Sequence, residues 1–306
     1  MVMINNSTSA FYERSTQGIG TLRKQAEALQ QQIGAGERLS RSSDDPVAAS
    51  RLRNLMRADN ISTIDVSNAS RASTDLTLTD SALSTFSDYV IRARELAVQA
   101  SNGTLTNEQR AGIGVEISQI HGNLVTLANA RDSAGHSLFG GETAGDAYSV
   151  DGAGNAVYNG AALPGELPLG DGQSVTRGLT GPQFLNFNVA GSPVDLMAEI
   201  KALGDALQGG VPDPAAAARD ALPKLTGGID SITTNQTVIG SRLAWLDLTA
   251  ERRIDLGELR ASEEFDIGAT DIASTVAGLQ QMMVVLEASQ ASFARLSSLS
   301  LFELIR

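Results

Sequence analysis

From Ala218 to Ala250 the chain sets Leu222, Leu225, Ile229, Ile232, Gln236, Ile239, Leu243 and Leu246 in alternating steps of four and three residues. An average step of 3.5 nearly matches the helical turn, so one phase held this long draws a single seam along one side of a helix. That seam constrains the rest of the chain. A helix with one apolar stripe gains little in water by itself, so another stripe must cover it.

Stripes of the same kind recur. Leu22, Ala26, Leu29 and Ile33 step by 4, 3 and 4. Gly34 and Gly36 follow, where glycine suits a helix cap. Asp45-Pro46 reads as a second start, with Asp capping free amides and Pro fitting the first turn. No glycine interrupts the run until Gly103, which predicts a helix roughly 85 Å long. Leu76, Leu83, Val90 and Ala97 form one heptad row, and Ala72, Thr79, Phe86, Ala93 and Ala100 form the other. The first half, with Leu52, Leu55, Ile61 and Ile64, is less regular, so the phase slips near 57–70.

Thr106 with Gln109 spells a capping box, followed by Ile113, Ile117, Ile120, Leu124 and Leu127. The short connection sets this helix antiparallel to the one before. Ser192-Pro193 and Asp213-Pro214 read as further starts, the first running to about Leu207. Glu263-Glu264 near Gly268 reads as a charged break. A last helix carries Ile272, Val276, Leu279, Met283, Leu286, Gln290 and Phe293.

The texture changes from about Ser137 to Ser192. Twelve of the chain's 30 glycines fall between Phe139 and Ser192. Tyr148-Ser149-Val150, Ala156-Val157-Tyr158 and Ser174-Val175-Thr176 read as short strands between turns. Arg177 stands against Glu142, Asp146, Asp151, Glu166 and Asp171, so the expectation is an exposed, acidic, β-rich insertion.

The expected fold is therefore mainly α with a small β insertion. Long antiparallel helices from both termini form a coiled-coil-like bundle. Segments 1–41 and 270–306 form a terminal coiled-coil assembly domain, 42–138 with 193–269 a helical core, and 139–192 an outward insertion. Each outermost segment has one stripe and no other local partner. Leu22, Ala26, Leu29, Ile33, Ile272, Val276, Leu279, Met283, Leu286 and Phe293 are thus expected to order fully against neighbouring subunits.

Little in the sequence points to chemistry. Cysteine is absent, which excludes disulfides and thiolate catalysis. His121 and His136 lack zinc-ligand spacing and read as surface or cap residues. The glycine pairs lack a dinucleotide fingerprint, and no phosphate loop or G-x-S-x-G elbow occurs. Asp146, Asp151, Asn155 and Asp171 match no calcium loop and read as turn formers. The reading is no enzyme, no cofactor and no metal.

A net charge of −12 leaves no electrostatic footprint for nucleic acid. Residues 1–60 nevertheless carry eight Lys/Arg against six Asp/Glu. No apolar run is long enough to insert in a membrane. Met1-Val2-Met3-Ile4-Asn5-Asn6-Ser7 has neither cationic start nor apolar core, so export without a cleaved signal is expected.

Certain motifs carry a resemblance. Arg38-Leu39 followed by Ser40-Arg41-Ser42-Ser43-Asp44-Asp45-Pro46-Val47-Ala48-Ala49-Ser50 resembles the flagellin-like axial proteins of the bacterial flagellum. Pro46-Val47, where flagellins usually have Ala-Ala-Gly, favours the hook–filament junction branch, the hook-associated proteins 3. Ser137-Leu138-Phe139-Gly140-Gly141 is similar to that branch's Leu-Phe-Gly-Gly turn. Gly240-Ser241-Arg242-Leu243, Ala294-Arg295-Leu296 and Leu299-Ser300-Leu301-Phe302 also match.

The resemblance implies a structural subunit of the flagellum, exported by the type III apparatus. Its partners would be hook-associated protein 1, flagellin, copies of itself in a ring and an export chaperone. The alternatives are a divergent flagellin, or a secreted coiled-coil adhesin or effector.

Overall fold

The computed structural model describes residues 3–132 and 134–303, with side chains for 10–132 and 134–297. Contacts divide the chain into two units. A central unit comprises Ile61–Ile254, and a terminal unit comprises Met1–Asn60 with Asp255–Arg306. The expected three-part division differs, because contacts group 139–192 with the helices flanking it.

Helices dominate. They are α1 (Met3–Ala35), α2 (Pro46–Ala100), α3 (Asn107–Ala128), α5 (Leu196–Asp205), α6 (Pro214–Gly268) and α7 (Ile272–Glu303). A π-helical segment, Ala206–Gly210, extends α5. Between α3 and α5 lie strands β1 (Tyr148–Val150), β2 (Ala156–Tyr158), β3 (Glu166–Gly170) and β4 (Gln173–Thr176). Short helix α4 (Gly181–Leu185) and strands β5 (Asn186–Val189) and β6 (Ser192–Asp195) follow. The strands pair as three antiparallel hairpins, β1–β2, β3–β4 and β5–β6.

The central unit holds the core. Every residue of both heptad rows in α2, from Ala72 to Ala100, is buried. In α6, Ala218, Leu225, Ile232, Ile239 and Leu246 are buried, while Leu222, Ile229, Gln236 and Leu243 are half-buried. Arg219 of α6 reaches Ser101 O at the end of α2, and Arg253 approaches Asp65 earlier in α2. These ties step in opposite directions along the two helices, so α6 runs antiparallel to α2.

The capping box at Thr106 forms as expected, with Gln109 N donating to Thr106 Oγ1 at 3.3 Å. Arg92 pairs with Glu116, and Arg110 donates to Ala100 O and Asn102 O, fixing the α2–α3 hairpin. Gly114 lies where α3 meets α5. A Cβ there would stand 2.9 Å from Gly204 O, so that glycine permits close helix approach rather than weakening the helix.

The β-rich segment is less exposed than expected. Tyr148, Leu169, Val175, Leu179, Phe184 and Leu185 are buried in the same core as the helices. Ser192-Pro193 begins a strand, not a helix. Pro193 pairs with Asn188, and the helix starts at Leu196 after Asp195, whose Oδ1 accepts from Ala198 N. Glu263-Glu264 does not break α6, which continues to Gly268.

Candidate assembly interface

The terminal unit pairs α1 with α7. Tyr12 meets Phe293 edge-on at 5.5 Å, and Leu29 Cδ1 lies near Gly278 further along both helices. The pairing is therefore antiparallel. The stripes of the two outermost segments meet each other.

The cover is partial. Leu22, Ala26, Leu29 and Ile33 are half-buried, as are Val276, Leu279, Leu286 and Phe293. Ile272 and Met283 stay exposed, at 57% and 56%. An apolar crevice of ≈ 540 Å³ opens beside Phe11, Ile19, Leu22, Phe293 and Leu296. Among the described residues of this unit, the buried apolar side chains are Ala49 and Leu55 alone. Phe11, Met56, Leu259, Phe265, Met283 and Val284 are exposed. Two helices cannot enclose seams on more than one side, and these seams are wider than one pairing covers.

The Ser43-Asp44-Asp45-Pro46 motif works as a clasp. Asp45 Oδ1 accepts from Ala48 N at 3.0 Å and caps α2, with Pro46 in the first turn. Asp44 Oδ2 accepts from Arg41 N at 2.8 Å and Ser40 Oγ at 3.0 Å. Backbone amides hold both carboxyls below their ordinary range, Arg41 acting on Asp44 and Ala48 on Asp45. Arg38 donates to Asp45 and, through Nε and Nη2, to Ile267 O at 3.1 and 3.0 Å.

Arg38 N also donates to Gly268 O, and Thr270 N to Gly36 O. The α1–α2 connection and the α6–α7 connection are thus tied backbone to backbone. Arg51 with Glu263 at 2.5 Å and Arg260 with Asp59 at 2.6 Å continue the tie along α2 and α6. Periodicity carries no trace of this clasp. Its one sequence signal is Arg38, two residues after a helix-ending glycine.

The second motif lies in the central unit. Phe139 is fully buried, edge-on to Phe86 at 5.7 Å and tilted to Phe184 at 5.1 Å. Its carbonyl accepts from Gly181 N at 2.9 Å, and Gly140 O accepts from Ala161 N at 2.9 Å. Gly141 has φ +65°, and a Cβ there would stand 2.6 Å from Leu163 O. Phe139, Gly140 and Gly141 each therefore have a structural reason.

The polar residues singled out for chemistry fill structural places. Asp146 pairs with Arg131, and Asp151 accepts from Ala153 N and Asn155 N in its own turn. His136 sits beside Asp132 at 3.4 Å. His121 is not a surface residue. It is buried within α3, and that burial, reinforced by Lys201, lowers its pKa. Among the described residues no three His, Cys, Asp or Glu gather as metal ligands. No helix there is long and apolar enough to cross a membrane. The Leu299–Phe302 motif lies outside the described side chains.

Residues 4–144 match the bacterial flagellin N-terminal helical region. Over 98% of its length the chain is 28% identical to flagellar hook-associated protein 3 of Salmonella typhimurium, covering 99% of that protein. A flagellin of Treponema pallidum, FlaB1, is 29% identical over 46% of this chain and 48% of its own. In fold, the chain resembles a flagellar hook-associated protein structure from Vibrio parahaemolyticus. The TM-score is 0.67 at 24% identity, covering 74% of this chain and all of the other. The chain is thus similar along nearly its whole length to flagellar hook-associated protein 3, and over residues 4–144 to the flagellin N-terminal helical region.

Proposed function

We propose that this chain is the structural subunit that joins the flagellar hook to the filament. It would seat between hook-associated protein 1 and the first flagellin subunits, in a ring of its own copies. One observation carries the mechanism: the terminal unit leaves Ile272, Met283 and Val284 exposed on α7 and Phe11 on α1. Burial of such surface is worth about 25 cal/mol per Å², and here it is gained only on assembly.

The role is mechanical and needs no catalysis. Export without a cleaved signal and a chaperone that covers the seams before assembly fit the same reading. Similarity to hook-associated protein 3 along 98% of the chain, against 46% for the flagellin FlaB1, favours the junction role over a filament subunit.

Met283→Asp tests the proposal, because Met283 is exposed and its loss should not disturb the subunit's own packing. Cells carrying it should still export the protein and build hooks, yet lack filaments. Normal filaments would refute the interface. Thousands of copies per filament would identify a flagellin instead.

A further inference from the structure

A polar cluster lies in the central unit at the start of the Phe139 turn. Asp75 of α2 is 4% exposed and Ser137 is 3% exposed. Asp75 Oδ2 and Ser137 Oγ are both sealed from solvent, and neither has a hydrogen-bond partner in the protein. Both residues line one small cavity, together with Asp132, Arg177 and Gly178.

The other charged groups there are already engaged. Asp132 Oδ1 accepts from Ala134 N at 2.9 Å and His136 N at 2.8 Å. Its Oδ2 faces His136 at 3.4 Å and Arg177 at 3.9 Å. Asp75 and Ser137 are left over. Buried polar oxygens are almost always satisfied, by protein or by ordered water. The cavity offers ≈ 10 Å³ to a water-sized sphere, which admits one water and little else.

We propose that a single structural water occupies this cavity and bridges the Asp75 carboxyl to the Ser137 hydroxyl. A water donates two hydrogen bonds and accepts two, so it can satisfy both oxygens whichever one carries the proton. Burial pushes the Asp75 carboxyl's pKa up, which suits a group that shares hydrogen with a neutral partner rather than an ion. The water would link α2 to the segment entering the Phe139 turn.

Two measurements on the full chain decide it. A crystal structure grown in rubidium salt, at a resolution that shows ordered water, should contain one peak. That peak should lie within hydrogen-bond distance of Asp75 Oδ2 and Ser137 Oγ and carry no rubidium anomalous signal. A dry cavity, a direct Asp75–Asp132 contact or an anomalous peak would each overturn the proposal. In the second measurement, Asp75→Asn and Ser137→Ala are combined in a double-mutant cycle read by urea midpoint. Their shifts should be non-additive if one water couples them. Additive shifts would remove the bridge.

Discussion

Phe139 gives the sharpest test of the central core. Its side chain is fully buried, with ring contacts to Phe86 and Phe184, which also touch each other. Phe139→Ala removes the ring and leaves a void that rigid neighbours cannot close. Large-to-small changes of this kind cost about 3–5 kcal/mol. Edge contacts between aromatic rings add about 0.5–1.5 kcal/mol each beyond area alone, which places this variant in the upper part of that range. Phe139→Leu keeps most of the apolar volume and should cost about 1–2 kcal/mol. Trp245 is the chain's one tryptophan and packs against this core, so its fluorescence reports the central unit's urea transition. The expected result is a lower midpoint with unchanged m-value. A loss under about 2 kcal/mol for Phe139→Ala would refute the argument that the three rings form one rigid cluster.

Four further outcomes can be read with the same fluorescence. Gly141→Ala forces a side chain into φ +65° and against Leu163 O, costing at least about 1–2 kcal/mol. Gly103→Ala, where a Cβ meets nothing within 4 Å, should be near neutral. Thr106→Ala removes the α3 cap and should cost about 1 kcal/mol, with Thr106→Ser restoring most of it. His121 has a pKa lowered from 6.5, mainly by burial. The unfolded chain therefore takes up a proton first as pH falls below about 6.5. Stability should decline from there toward the lower folded value, and His121→Gln should flatten that slope. An unchanged slope in the variant would mean that another group titrates.

The sequence made the helices legible for a definite reason. Ala72 to Ala100 and Ala218 to Leu246 face a single core, so one period runs the length of each seam. The caps at Asp45, Thr106 and Asp213 were legible because each bonds an amide within three residues. Ser192-Pro193 misled because cap-plus-Pro also suits an edge strand, where the missing amide costs nothing. The true cap, Asp195, lies three residues on.

Glu263-Glu264 suggested a break, since charges cluster near Gly268. In the fold Glu263 is held by Arg51, 212 residues away in sequence, and no local pattern encodes that. Strands β3, β5 and β6 escaped for the same reason. They are short, and Leu169 of β3 and Phe187 of β5 pack into a core built mostly of helices distant in sequence. Of the site, the stripes were readable. The Arg38 clasp depends on connections that periodicity does not see.

The pairing of α1 with α7 bears on the proposed assembly. Two stripes without partners would be little ordered in a free subunit. Antiparallel contact through Tyr12, Leu29, Gly278 and Phe293 instead gives them a shared but shallow cover. The clasp from Arg38 to Ile267 and Gly268 fixes where α1 ends and α7 begins. A neighbour then meets a surface that is already shaped, and loses less conformational freedom on binding than two loose helices would. The exposed faces at Ile272, Met283 and Val284 remain unsatisfied. On the proposed function, their burial would be concentration-linked stability, gained in an array and missing in a lone copy. The central unit, with its own complete core, needs no such contribution, so a defect in the terminal seams should abolish assembly while leaving the Trp245 transition in place.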